Sequence, residues 1–132
     1  MIEKEFVPYQ ESLELKELGF NEPYFGYYYT LNGKDWKFAE KSEYYRLDDE
    51  INIGWMNIGG KFSLLAPTFS QAFRWFREKY KIRFIIQSSM SDLGEYFKVI
   101  FPNGEQRNVS YNTYEEAELA CLIKLIEIVK NQ

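Results

Sequence analysis

Polar and apolar positions along the chain fall into blocks of different period, and each block predicts an element. From Pro8 to Leu18, Leu13, Leu15 and Leu18 stand among glutamates, which predicts a short helix. Gly19 follows at the position just beyond the helix, where a residue without Cβ enters the left-handed region cheaply, and Phe20 is placed to fold back on the last turn. Tyr24–Leu31 is dense in aromatic residues, Asn32-Gly33 is a two-residue hairpin turn signal, and Trp36 and Phe38 alternate with Lys34, Asp35 and Lys37. This predicts a β-hairpin. Residues 41–61 show no sustained period: Ile51 and Ile53 alternate briefly, and Gly54, Gly59 and Gly60 interrupt.

The second half reads more firmly. Thr68 and Gln71 have the spacing of a capping box, in which each side chain satisfies the other residue's orphan backbone N–H. They open an amphipathic helix, Phe69–Tyr80, with Phe69, Ala72, Phe73, Phe76 and Tyr80 on one face and Gln71, Arg74, Arg77 and Glu78 on the other. Ile82–Ile86 predicts a strand, Ser88–Gly94 a loop, and Tyr96–Phe101 a second strand. Pro102-Asn103-Gly104 then turns the chain into a third strand, Gln106–Tyr111. Thr113 caps the last helix, with Glu115 and Glu116 in its first turn, where the helix dipole favours anions. Its apolar arc, Ala117 to Val129, covers more than half the cylinder, as for a helix lying across a sheet or in an oligomer seam.

The expected fold is therefore α+β in a single domain spanning residues 1–132. A short N-terminal helix and an aromatic β-hairpin precede a helix, a three-stranded antiparallel meander and a final helix. Phe69, Phe73, Phe76, Phe84, Ile86, Val99, Leu122 and Ile126 form the expected core.

Composition then removes most chemistry. The chain contains no histidine and one cysteine, which excludes Ser-His-Asp and Cys-His catalysis, histidine-based and Cys₄ zinc sites, and an internal disulfide. Cys121 falls in the apolar arc of the last helix, the opposite of the electropositive, open setting that a reactive thiol needs. Asp48-Asp49-Glu50 lacks the alternating oxygen spacing and glycine turn of a cation loop and reads as solvated. The expectation is a protein that is not an enzyme and has no cofactor or metal. The first residues show neither the basic nor the apolar region of a signal peptide, and no run is long enough to cross a membrane, so the cytoplasm is the expected location.

Two surfaces remain as candidates. Tyr24, Tyr27, Tyr28, Tyr29 and Trp36, with Tyr44, Tyr45 and Trp55 nearby, exceed what one small core needs, and an aromatic hairpin with two apolar faces suits a protein partner or a homodimer. The alternative is nucleic-acid binding by Arg74, Trp75, Arg77, Lys81 and Arg83. The segment 74–83 carries +4 while the rest of the chain carries −8, and basic groups interleaved with aromatic rings can hold phosphates and stack bases. The overall charge of −4 argues against it. The order helix, three strands, helix matches the double-stranded-RNA-binding domain. That family grips phosphates with lysines at the start of its last helix, whereas Tyr114-Glu115-Glu116-Ala117-Glu118 presents glutamates that repel an RNA backbone.

Three stretches carry a wider resemblance. They are Glu14-Leu15-Lys16-Glu17-Leu18-Gly19-Phe20 with Pro23 and Phe25-Gly26-Tyr27; Ala66-Pro67-Thr68-Phe69-Ser70-Gln71-Ala72-Phe73-Arg74-Trp75-Phe76-Arg77; and Thr113-Tyr114-Glu115-Glu116-Ala117-Glu118-Leu119-Ala120-Cys121-Leu122. Together they resemble a family of small proteins of gut bacteria, borne by prophages and other mobile elements, with no known activity. The resemblance implies a cytoplasmic accessory protein and assigns no catalytic residue, ligand or cofactor.

Overall fold

Helices and antiparallel strands share the chain, the α+β arrangement that the periodicities predict. A computed structural model describes residues 2–22, 24–45, 51–53, 56–58, 63–101 and 109–132. A 3₁₀ turn, Ile2–Glu5, leads into α1 (Tyr9–Glu17), followed by β1 (Tyr24–Tyr29), β2 (Lys37–Tyr45), β3 (Ile51–Ile53), β4 (Met56–Ile58) and β5 (Ser63–Ala66). Then come α2 (Phe69–Tyr80), β6 (Ile85–Ser91), β7 (Gly94–Ile100) and α3 (Tyr114–Lys130). The polypeptide divides into two compact units, Met1–Ala72 and Phe73–Gln132, with the division inside α2.

The first unit is built on a three-stranded antiparallel sheet of order β2-β1-β5. β1 is the central strand, and it is buried on both faces, at Tyr28 on one and Tyr27 on the other, so it does not alternate apolar with polar. On one face Tyr28 lies opposite Phe38 on β2 and Leu64 on β5. Phe6 and Ala66 complete a cluster there, with Tyr9, Trp36 and Phe38 packed against it. On the other face Tyr27 lies opposite Leu65, and both are buried. Gly26 is required by close approach, because a Cβ there would meet the Phe6 and Phe38 rings at 2.7–2.8 Å.

α1 closes as its sequence predicts. Gly19 takes φ +95°, the Phe20 N–H donates to the Leu15 carbonyl at 3.0 Å and the Gly19 N–H to the Lys16 carbonyl at 3.0 Å. This is a Schellman ending, and Phe20 folds back into the core, buried like Leu15. The start of α1 is tied to the sheet through Val7. Its N–H donates to the Pro67 carbonyl at 2.8 Å, and its carbonyl accepts from both the Tyr28 hydroxyl at 2.9 Å and the Ser12 hydroxyl at 3.0 Å. The buried Ser12 and Tyr28 hydroxyls are thereby paired.

The hairpin differs from expectation at its turn. Tyr29 pairs with Lys37, so the connection is the whole of residues 30–36 and not Asn32-Gly33 alone. Asn32 organises it: its side-chain oxygen accepts from the Lys34 N–H at 2.8 Å, the Asp35 N–H at 2.9 Å and the Thr30 hydroxyl at 3.1 Å. Thr30 in turn accepts from the Gly33 N–H at 3.0 Å, with Gly33 at φ +78°. An Asx-type loop has displaced the tight turn because Asn32 can bond three donors at once. β2 runs on to Tyr45 and a short β3–β4 hairpin follows, where the sequence shows no clear period.

In the second unit, α3 packs on the β6–β7 hairpin. The capping box is formed, with the Thr68 N–H donating to Gln71 Oε1 at 3.0 Å and the Gln71 N–H to Thr68 Oγ1 at 3.2 Å. Thr113 Oγ1 caps α3 by accepting from the Glu116 N–H at 3.1 Å. Of the expected core, Phe69, Phe73, Phe76, Val99, Leu122 and Ile126 are buried, while Phe84 and Ile86 are half-buried. The expected loop Ser88–Gly94 is a correction: β6 runs through Ser91, and Asp92-Leu93 alone make the turn into β7. The third strand of the meander is seen as a single antiparallel bridge, Phe97 to Tyr111, with both N–H to carbonyl bonds at 2.9 Å. The turn Pro102-Asn103-Gly104 and the start of that strand lie outside the described residues.

Candidate functional site

The aromatic hairpin is mostly interior. Tyr27 is 6% exposed and Tyr28 is 7% exposed, the latter held by its hydroxyl bond to Val7 and by rings of Tyr9 and Phe38 at 6.0 and 5.4 Å. Tyr29 and Trp36 are half-buried, and the Trp36 ring stacks on Tyr9 at 4.4 Å. Tyr24 opens β1 opposite Tyr45, and its side chain lies outside the description, as do those of Tyr44, Tyr45 and Trp55. Of the four expected residues whose side chains are described, Tyr27 and Tyr28 are buried in the first unit, and Tyr29 and Trp36 are half-exposed. Asp48-Asp49-Glu50 lies outside the described residues.

Beside the hairpin loop a cavity of about 140 Å³ is lined by Tyr29, Thr30, Leu31, Asn32, Asp35 and Lys37. Ligand pockets hold roughly 300–1,000 Å³. Its main polar atoms are committed to the loop itself: Asn32 Nδ2 donates to Asp35 Oδ2 at 2.9 Å, and Asn32 Oδ1 accepts from its three donors.

The basic segment keeps its cations at the surface. Arg74, Arg77, Lys79, Lys81 and Arg83 are all exposed. Trp75 does not join them. It is 7% exposed, packed against Phe76 at 5.1 Å and Tyr80 at 5.3 Å, with the Lys79 ammonium 5.2 Å from its ring centre. The helical arc is wider than the sequence predicts, so the ring offered for base stacking is part of the core. Lys81, just past α2, holds φ +57°, which turns the chain out of the helix.

Titratable groups shift mainly through burial. Desolvation pushes the Glu11 carboxyl up, with Glu14 adding to it and a backbone hydrogen bond opposing it. On α3, burial raises Tyr114 and pushes the Cys121 thiol up to about 12, with the Glu118 charge adding to both. Cys121 is the buried, inert thiol that its place in the apolar arc predicts. Among the described residues, no three Asp, Glu or Cys side chains gather as metal ligation requires, and no helix is long and apolar enough to cross a membrane.

The surface that sequence reasoning missed is the β6–β7 hairpin. Ile85 is 61% exposed, Met90 74% and Leu93 fully exposed. The Ser91 hydroxyl accepts from the Leu93 N–H at 3.2 Å and donates to the Gly94 carbonyl at 3.2 Å, which holds Leu93 out at the tip of the turn. The signal was faint but present: Asp92 and Gly94 bracket a short turn between segments of equal length. Comparison with family models, with curated proteins and with solved structures finds no match to this chain.

Proposed function

We propose that this protein is a cytoplasmic, non-enzymatic interaction module that engages a protein partner through apolar side chains on the β6–β7 hairpin. The observation that carries the reading is the exposure of Met90 and Leu93 at the turn of the β6–β7 hairpin, with Ile85 exposed at its other end. Neighbouring exposed apolar groups mark interaction sites more often than singly scattered ones. The resemblance of its three sequence blocks to proteins of mobile elements supports an accessory role in a phage or similar element. Capture from host or infected-cell extract with wild-type protein and with the Ile85→Lys, Leu93→Lys double variant tests it. The expected result is a protein retained by the wild type and lost by the variant at unchanged thermal stability. Retention of the same proteins by both would remove the reading.

Nucleic-acid binding is a second reading, favoured by the five exposed cations between Arg74 and Arg83. The buried Trp75 ring counts against base stacking, and the net charge of −4 against phosphate contact. Salt-dependent retention on heparin that Arg74→Glu, Arg77→Glu and Arg83→Glu together abolish would favour it over the interaction module.

A further inference from the structure

The outer edge of β6 has the chemistry of a strand that pairs with itself. Ser88 lies opposite Phe97 in the β6–β7 ladder. Phe97 directs both its N–H and its carbonyl away from β6, to Tyr111. In an antiparallel ladder, directly opposite residues either bond each other with both groups or turn both groups outward. Ser88 therefore turns its N–H and carbonyl to the far side, and so do Ile86 and Met90, two residues either way. No strand pairs with that side among the described residues.

Natural edge strands are protected by charge, proline, bulges or brevity. β6 has none of these: Ile85-Ile86-Gln87-Ser88-Ser89-Met90-Ser91 is regular over its full length, with no charged residue and no proline, in a chain that is 27% charged. Its pattern is also self-complementary. About a twofold axis at Ser88, Ile86 faces the partner's Met90 and the reverse, Gln87 faces the partner's Ser89, and Ser88 faces its own copy. Apolar meets apolar, polar meets polar, and no like charges oppose. The outward groups of Ile86, Ser88 and Met90 fall in register to bond one another, and the exposed Met90 gains a neighbour. A different protein strand would have no charge here to recognise.

We propose that β6 pairs antiparallel with β6 of a second copy through Ser88, joining the two β6–β7 hairpins into one continuous sheet. The inference rests on the reading of this hairpin as an interaction surface and names its occupant. Sedimentation velocity from low to high micromolar concentration tests it, on wild type, Ser88→Lys, Ser88→Pro and a control, Leu31→Lys, at an exposed apolar position of the first unit. The expected result is a concentration-dependent dimer whose Kd rises at least about tenfold in Ser88→Lys, where like charges meet at the axis, and in Ser88→Pro, and is unchanged in Leu31→Lys. Amide exchange of the wild type reads the same contact should a Ser88 variant fail to fold. The Ile86, Ser88 and Met90 amides are then protected at high concentration and exchange freely on dilution. A wild type that stays monomeric, a dimer indifferent to both Ser88 variants, or concentration-independent exchange overturns the self-pairing. A capture result that still depends on Ile85 and Leu93 would leave the interaction module standing without it.

Discussion

A Cβ built on Gly26 would lie 2.7 Å from one carbon of the Phe6 ring and 2.8 Å from one of Phe38. Those rings are themselves 4.8 Å apart, Phe6 is buried, and the Phe38 ring lies 5.4 Å from that of Tyr28, so moving either ring disturbs their shared cluster. We expect Gly26→Ala to lower stability by roughly 1–3 kcal/mol, as overpacking does. Urea denaturation measures it, and a neutral result would mean that the cluster is looser than its distances imply. Cys121 gives a second prediction. Its thiol is pushed up to about 12 in the fold. An unfolded cysteine ionises near ~8.5. Above that pH the unfolded chain releases a proton that the folded one keeps, so the contribution is whole below about pH 8.5 and declines as pH rises toward 12. Native protein should resist thiol-specific reagents at pH 8 and react once denatured. Fast labelling of the folded protein would contradict the burial.

At the scale of elements, two helices end on left-handed residues by different means. α1 ends on Gly19, which enters that region freely, whereas α2 is followed by Lys81 at φ +57°, where Cβ is crowded. Lys81→Gly should raise stability by about 0.5–1 kcal/mol, the relief of strain less the entropy that glycine adds to the unfolded chain. Thermal denaturation reads the sign, and a lower midpoint would show that the Lys81 side chain contributes more than its backbone costs. The same contrast explains what was legible. The Thr68–Gln71 box, the Thr113 cap and the Gly19 ending are set by residues within a few positions of each other, and all were readable. The outer half of β6 was not, because Gln87, Ser88, Ser89 and Ser91 give no alternation when most of the strand is exposed. The loop after β1 was misread because Asn-Gly signals a tight turn only when the asparagine side chain is not bonded to the loop backbone. Trp75 was misplaced because its ring, at the margin of the apolar arc, is held against Phe76 and Tyr80 and not turned out to solvent.

Across the molecule, helix and strand content followed from local pattern, but the placement of β1 between two partners did not. Tyr27 and Tyr28 looked like surplus because β5, the strand that covers their second edge, is four residues of ordinary apolar sequence far along the chain. The candidate site suffered from the same blindness to distant pairing: buried rings stood out, while the exposed hairpin carrying Leu93 did not. That central position also has a kinetic meaning. β1 reaches β2 across one loop, but reaches β5 only after β2, β3 and β4 have been laid down. Closing the longer span costs more chain entropy before any contact rewards it, so the local hairpin should form in the folding nucleus and β5 should dock after the barrier. Leu65→Ala, at a fully buried β5 position, should then speed unfolding with little change in the folding rate, whereas Asn32→Ala should slow folding. Stopped-flow chevrons separate the two limbs, and a Leu65→Ala variant that folds more slowly in proportion to its lost stability would place β5 in the nucleus instead. If β5 docks late, β1 passes through a moment with one edge bare, and the interval before that strand arrives is when this chain is most exposed to pairing with the wrong neighbour.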